Sequence, residues 1–98
     1  MNPITYPERE KVYAAALEKW GEGMQCLVAI EQLSELQKEI CKRFRGADNI
    51  GSIAEEIADV TIMLEQLRFI LDINDKVCEE MDYKIKRLQM RLGMEEIN

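Results

Sequence analysis

The chain has 98 residues, with 13 Lys and Arg against 19 Asp and Glu, a net charge of −6 and no His. A chain of this length supplies one hydrophobic core, so we predict a single domain over residues 1–98. The negative charge argues against binding to nucleic acid or to anionic lipid. The absence of His excludes His-based general bases, catalytic triads and imidazole metal sites.

Cys26, Cys41 and Cys78 are far apart and show no CxxC spacing. They predict reduced thiols, and neither a disulfide framework nor a zinc site. The first ten residues contain no apolar signal region, and no segment approaches the roughly 20 apolar residues of a membrane span. We therefore expect a soluble, cytoplasmic protein without a membrane partner.

Four helices are predicted in chain order. The first covers residues 8–20, and Gly21 and Gly23 loosen the chain after it. The second covers roughly residues 22–45 and carries basic residues in its last turn, where they complement the helix dipole. Gly46 is expected to end this second helix, because glycine readily adopts the left-handed conformation that follows a helix.

The third helix has the strongest apolar periodicity. Ser52 followed three residues later by Glu55 is typical of a capping box, so the helix is predicted to begin near Ile53. Its predicted core positions are spaced alternately by four and three residues. They are Ile53, Ile57, Val60, Leu64, Leu67 and Leu71.

The fourth helix follows a turn at residues 72–75 and is expected to end at Gly93. The chain ends, residues 1–7 and 94–98, are expected to be flexible. No strand pattern, internal repeat or low-complexity segment is present. The predicted fold class is therefore all-α, an antiparallel bundle of about four helices.

Two acidic clusters lie on the second and third predicted helices. Glu31 and Glu35 share one helix face, and Glu56 and Asp59 share another. Either cluster alone is typical of a solvated helix surface. Both clusters border apolar positions, however, and antiparallel packing of the two helices could bring them to one level of the bundle. Carboxylates that meet there would repel each other unless a cation bound between them. Oxygen ligands without His favour Mg²⁺ or Mn²⁺ over zinc or a di-iron centre.

At these positions the sequence resembles the MazG-like, all-α nucleoside triphosphate pyrophosphohydrolases of the short phage and Gram-positive type. The family signature is EExxE on one helix and ExxD on the next; residues 31–35 read EQLSE and residues 56–59 read EIAD. The resemblance extends from about Val12 to Leu92. It departs at Gln32, where the family has a metal-binding Glu. It implies metal-ligand roles for Glu31, Glu35, Glu56 and Asp59, with Gln32 as a neutral ligand.

The resemblance also implies the reaction, which is Mg²⁺-dependent hydrolysis of a (deoxy)nucleoside triphosphate to the monophosphate and pyrophosphate. In such a reaction a water attacks the α-phosphorus, and Glu31 or Glu35 would orient that water. Family members assemble as dimers or tetramers, so a homodimer or homotetramer is expected. The chain contains neither a P-loop nor a Rossmann glycine motif.

Further residues are candidates for substrate contacts. Lys84, Arg87 and Arg91 share one face of the fourth helix and would neutralise the β- and γ-phosphates, although a solvated basic edge explains them equally well. Trp20 and Gln25 are candidates for contacts to the nucleobase. A lone Trp is more often a core or interface anchor, and Gln25 can equally be a surface amide.

Two alternatives remain open from the sequence. A non-catalytic helical assembly or regulatory protein is favoured by Gln32, which removes one charge from the predicted metal site. Phosphoribosyl-ATP pyrophosphohydrolases share the acidic helices, but the region around Trp20 and the basic fourth helix resemble them less.

Overall fold

The computed structural model describes residues 1–95 and is all-helical over that range. It contains α1 (Tyr6–Phe44), α2 (Ile50–Ile70) and α3 (Asn74–Arg91). The all-α fold class is confirmed. Residues 96–98, which belong to the predicted flexible C-terminal end, lie outside the described residues. None of the described helices is long and apolar enough to cross a membrane.

The first two predicted helices form one kinked element. Gly21 has φ +82° and ψ 163°, outside the helical region, and divides α1 into segments 6–20 and 22–44. Residues 1–95 therefore contain three helical elements where four were predicted, because Gly21 is the one residue that leaves the helical conformation between the first two predicted helices. Glycine suits this position, since a side chain there would be strained.

α1 ends in a Schellman motif at Gly46, whose φ is +102°. The Gly46 N–H donates to the Arg43 carbonyl at 3.0 Å, and the Ala47 N–H donates to the Lys42 carbonyl at 3.0 Å. Gly46 ends the helix as predicted. The chain then turns back, and α2 packs along α1.

α2 ends in the same motif, but Asp72 holds the left-handed position with φ +53°. Its N–H donates to the Phe69 carbonyl at 3.2 Å. A side chain in this conformation costs about 1 kcal/mol, so we expect Asp72→Gly to raise the free energy of unfolding by about 0.5–1 kcal/mol in urea denaturation. Asp75→Gly, in the first turn of α3, is the matched control and should lower it. Equal effects of the two substitutions would show that the Asp72 backbone is not strained.

The start of α2 differs from the prediction. The helix begins at Ile50 with Asn49 as the N-cap residue, so Ser52 lies inside the helix and the predicted capping box is wrong. The Asn49 side-chain amide donates to the Glu39 carbonyl at 2.9 Å and to Glu39 Oε1 at 3.2 Å. This link between the end of α1 and the start of α2 takes the place of a local cap.

The buried side of α2 is also rotated from the prediction. Ile57, Leu64 and Leu71 are about half exposed, so they do not belong to the core of the single chain. The reason is that α1 covers only one side of α2, whereas the apolar residues of α2 occupy two sides. The buried and half-buried side of α2 instead includes one acidic residue, Glu56. Its members are Ile53, Glu56, Val60, Met63, Leu67 and Ile70.

Polar side chains contribute much of the buried contact between α1 and α2. Gln66 Nε2 donates to Gln25 Oε1 at 2.7 Å, and both residues are buried. The buried Tyr13 hydroxyl donates to Glu65 Oε1 at 2.7 Å, and Arg9 Nε donates to the same oxygen at 2.6 Å. These bonds set the register of the two helices, because each joins one residue of α1 to one residue of α2.

Candidate functional site

The α1 side of the site is a row of residues that faces α2. Its members are buried or half-buried and are spaced by four and three residues, as expected for one helix face. They are Gln25, Ala29, Gln32, Leu36 and Glu39. Gln32 therefore lies on the side towards α2, whereas Glu31 and Glu35 are exposed next to it.

Glu56 is the α2 residue at the centre of the site. Its Oε2 atom is buried and accepts no hydrogen bond. Burial raises the pKa of this carboxyl above its usual value, and the charges of Asp59, Glu35 and Glu39 raise the pKa further. Glu35 of the first sequence cluster therefore lies near enough to Glu56 to disfavour its charge, and so does Glu39 one turn further along α1. Glu31 is not among the groups that raise the Glu56 pKa.

Glu39 was missed from the sequence, although it continues the four-residue spacing of Glu31 and Glu35. Hydrogen bonds from the Asn49 amide and the Lys42 ammonium lower the pKa of the Glu39 carboxyl. Lys42 Nζ lies 3.1 Å from Glu39 Oε2. The Asn49 Oδ1 atom is buried without a hydrogen-bond donor, as is Glu56 Oε2. Two oxygen acceptors near Glu39 are therefore left without a partner.

The carboxylates are neighbours without forming a closed ligand set. Within residues 1–95, no three acidic or cysteine side chains lie close enough to hold one metal ion as they stand. Glu35 and Asp59 are exposed, so their side chains can rotate without disturbing the helix packing. Oxygen ligands from both helices could approach a single cation through such rotations.

Trp20 and Gln25 lie together in a mostly apolar groove of about 590 Å³ between α1 and α2. The Trp20 ring is exposed, and Lys19 Nζ lies 5.1 Å from the ring centroid. Gln25 is buried, which rules out the surface-amide alternative. Its hydrogen-bond partner Gln66 was not predicted, because helical periodicity gives no information about a hydrogen bond between two residues 41 positions apart.

The groove reaches towards the acidic cluster. Val28 and Ile62 line its near edge. Val28 precedes Gln32 by four residues and Ile62 follows Asp59 by three, so about one helical turn separates the groove from the cluster on each helix. A ligand could therefore occupy the groove and touch the cluster at the same time.

The structure does not bring the basic residues of α3 to the cluster. Over the described residues, α3 makes no Cα–Cα approach within 8 Å to α1. Lys84, Arg87 and Arg91 are not among the groups that shift the Glu56 pKa. The Arg87 guanidinium instead lies 5.7 Å from the centroid of the Tyr83 ring on its own helix.

Comparison of the chain with protein-family models, with curated proteins and with solved structures finds no significant match.

Proposed function

We propose that the protein hydrolyses a (deoxy)nucleoside triphosphate to the monophosphate and pyrophosphate in a Mg²⁺-dependent reaction, with the acidic cluster as its metal centre. The observation that carries this proposal is Glu56, whose buried oxygen has no hydrogen-bond donor and whose charge is disfavoured by carboxylates of both helices. A divalent cation would offset both the desolvation and the mutual repulsion. Oxygen ligands suit Mg²⁺, and Mn²⁺ is the nearest substitute.

The ligands would be Glu35, Glu56 and Asp59, with Glu31 as a further candidate and Gln32 as a neutral oxygen donor. When bound, Mg²⁺ would polarise the phosphate oxygens. Glu35, or Glu31, would accept the proton of the water that attacks the α-phosphorus. The bond from the α-phosphorus to the bridging oxygen then breaks, and pyrophosphate leaves.

The groove beside the cluster would hold the nucleoside. Trp20 offers an exposed ring for stacking on a base, and its position in the groove supports this role. Gln25 is held by Gln66, so its amide would meet the base in a defined orientation. The spacing of one helical turn between groove and cluster would place the triphosphate next to the carboxylates.

We also propose that the chain assembles as a homodimer or homotetramer in the cytoplasm, in which helices of different copies complete an antiparallel bundle of four-helix type. Exposed apolar residues on α2 support assembly, because Ile57, Leu64 and Leu71 are uncovered in the single chain. Lys84, Arg87 and Arg91 would contact the phosphates only under one of two conditions. Either α3 of a second copy reaches the acidic cluster, or α3 of the same chain moves from its present position towards that cluster.

The test is a pyrophosphate-release assay with the common ribo- and deoxynucleoside triphosphates, with and without Mg²⁺. We expect Mg²⁺-dependent pyrophosphate release, and a melting temperature that rises with Mg²⁺ as expected for a ligand of the native state. No release with any nucleotide, together with a flat melting temperature in Mg²⁺ and a non-hydrolysable nucleotide, would favour the non-catalytic assembly protein instead.

Gln32→Glu tests the assignment of the helix face. Because Gln32 lies on the side towards α2, the added carboxylate should tighten Mg²⁺ binding and lower the stability of the metal-free protein. Calorimetric titration of Mg²⁺ into both proteins at one pH measures the first effect, and urea denaturation in chelator measures the second. Gln37→Glu, on the exposed side of α1, is the matched control and should change stability by less than about 0.5 kcal/mol. If the two variants behave alike, Gln32 does not contribute to the metal centre.

A further inference from the structure

The single chain leaves much more surface open than a compact monomer does. Its accessible surface is 7967 Å², whereas a compact monomer of this size exposes about 5,800 Å². The Cα radius of gyration is 16.6 Å, against about 13 Å for a compact domain of this length. The excess of roughly 2,000 Å² is larger than the about 800 Å² per partner that a standard interface buries. A partner that covers this surface is therefore expected.

α3 carries a continuous apolar row that its own chain does not cover. Over the described residues it approaches only α2, and it makes no backbone approach to α1. The row has the alternating three- and four-residue spacing of a coiled-coil seam. It consists of Cys78, Met81, Ile85, Leu88 and Leu92, and the last four are exposed by 56%, 61%, 49% and 64%.

The charges of α3 are mirrored about Tyr83. Four acidic residues precede Tyr83 by eight, four, three and one positions, and four basic residues follow it by one, three, four and eight. The only other charge on the helix is Lys76. The acids are Asp75, Glu79, Glu80 and Asp82, and the bases are Lys84, Lys86, Arg87 and Arg91.

This distribution of charge favours an antiparallel pair over a parallel one. If two α3 helices pair antiparallel with Tyr83 at the centre of the overlap, the acidic half of each helix lies along the basic half of the other. Lys76 pairs with Glu80 and Lys86 pairs with Asp82 within each helix, so the orientation is set by the attraction between the two halves and not by ion pairs between individual residues. A parallel pair would place acidic halves together and basic halves together, which is unfavourable. Four members of the apolar row follow the same mirror, since Met81 lies level with Ile85 and Cys78 lies level with Leu88, whereas Leu92 lies level with Asn74.

We propose that α3 is a dimerisation helix that binds α3 of a second copy of this chain, antiparallel, about a two-fold axis at Tyr83. A groove of about 450 Å³ between α2 and α3 supports this arrangement. Leu67, Leu71 and Met81 are among the residues that line it. The antiparallel pair brings the C-terminal leucines of the second α3 to this groove. The proposal does not depend on the enzymatic activity.

Ile85→Glu tests the surface, with the full chain studied by sedimentation equilibrium over a range of concentrations. Each dimer would then carry two carboxylates in its apolar seam, so we expect the dimer dissociation constant to rise at least about 100-fold. Met90→Glu is the matched control on the same helix, since Met90 is 79% exposed and lies off the seam. It should change the constant less than about threefold. Circular dichroism should report equal helix content for all three proteins.

A wild-type chain that stays monomeric at 100 μM (roughly the range of weak dimers) overturns the proposal. So does an Ile85→Glu protein that dimerises as well as wild type, because its interface then lies elsewhere.

Cross-linking tests the orientation independently of dimer strength. In the Leu88→Cys protein the new thiol lies level with Cys78 of the other chain, so mild oxidation should link position 78 to position 88 between chains, as identified by peptide mapping. In the wild-type control, the two Cys78 thiols would lie ten residues apart along the axis, about 15 Å, and should not link. A link between two Cys78 residues indicates a parallel pair and overturns the proposal. A dimeric Leu88→Cys protein without the 78–88 link overturns it too.

Discussion

Replacing Glu56 by Gln is expected to abolish Mg²⁺-dependent pyrophosphate release and, at the same time, to raise the free energy of unfolding of the metal-free protein. The first effect follows if the Glu56 charge binds the cation. The second follows because the Glu56 carboxylate is buried on one oxygen, receives no hydrogen bond there and is repelled by Asp59 and Glu35. A neutral amide removes that repulsion while keeping the shape of the side chain.

The stabilisation should depend on pH in a defined direction. The pKa of Glu56 is raised in the folded protein. Below the pKa of the unfolded chain the carboxyl is neutral in both states, so wild type and Glu56→Gln should be equally stable there. As the pH rises through the folded-state pKa, wild type loses stability relative to the variant. Urea denaturation in chelator at pH 3 (roughly one unit below the free pKa of Glu) and at pH 7 measures the difference.

Glu55→Gln is the matched control for Glu56→Gln. Glu55 is adjacent in the chain but exposed, and its charge raises the Glu56 pKa less than the charges of Asp59, Glu35 and Glu39 do. This variant should therefore keep its activity, and its gain in stability should be much smaller than that of Glu56→Gln. Asp59→Asn should lose activity like Glu56→Gln, with a smaller gain in stability because Asp59 is exposed. If Glu56→Gln instead loses stability in the metal-free state, the Glu56 carboxylate is a structural group and the metal-centre proposal fails.

Replacing Glu65 by Ala is expected to lower the free energy of unfolding by about 2 kcal/mol, because it leaves the buried Tyr13 hydroxyl without an acceptor. Tyr13 is 4% exposed, and its hydroxyl donates to Glu65 Oε1 at 2.7 Å. The Arg9–Glu65 ion pair adds less, since the two side chains are 36% and 24% exposed and solvent screens the pair. For a chain of this length the loss corresponds to roughly 10 °C in melting temperature.

A double-mutant cycle with Tyr13→Phe separates the two contributions. Tyr13→Phe alone removes the donor and leaves the Arg9–Glu65 pair in place, so its cost should be smaller. Once Tyr13 is Phe, the further cost of Glu65→Ala should fall to that of a partly exposed ion pair. A Glu65→Ala effect below about 0.5 kcal/mol would mean that the Tyr13 hydroxyl finds water when Glu65 is removed.

The same network predicts how stability varies with pH at both extremes. The hydrogen bond from Arg9, helped by that from Tyr13, lowers the pKa of Glu65, so the Glu65 contribution is present near neutral pH and is lost as the pH falls through the lowered value. Burial and the Glu65 carboxylate raise the pKa of Tyr13 to about 12. The contribution of the neutral phenol is therefore fully present below the free pKa of Tyr, about 10, and is lost as the pH rises through about 12.

Local features of the sequence predicted the class of structure and several of its boundaries. The 3.6-residue periodicity predicted an all-helical chain, and Gly21, Gly46 and Gly93 each adopt the positive φ that interrupts or ends a helix. These features are local, because each depends on the conformation of one residue and its near neighbours. The two acidic pairs were also visible, since residues three or four apart share a face on any helix.

Tertiary structure alone decided which faces are covered and which residues meet. Periodicity identifies the apolar side of a helix but not what packs against it, so Ile57, Leu64 and Leu71 were assigned to a core that a single α1 cannot close. Long-range hydrogen bonds explain the remaining differences. Asn49 replaces a local cap only because Glu39 lies beside it, and Gln25 is buried only because Gln66 satisfies its amide across the helix pair. A sequence contains no local signal for such bonds, since their strength comes from the burial that packing creates.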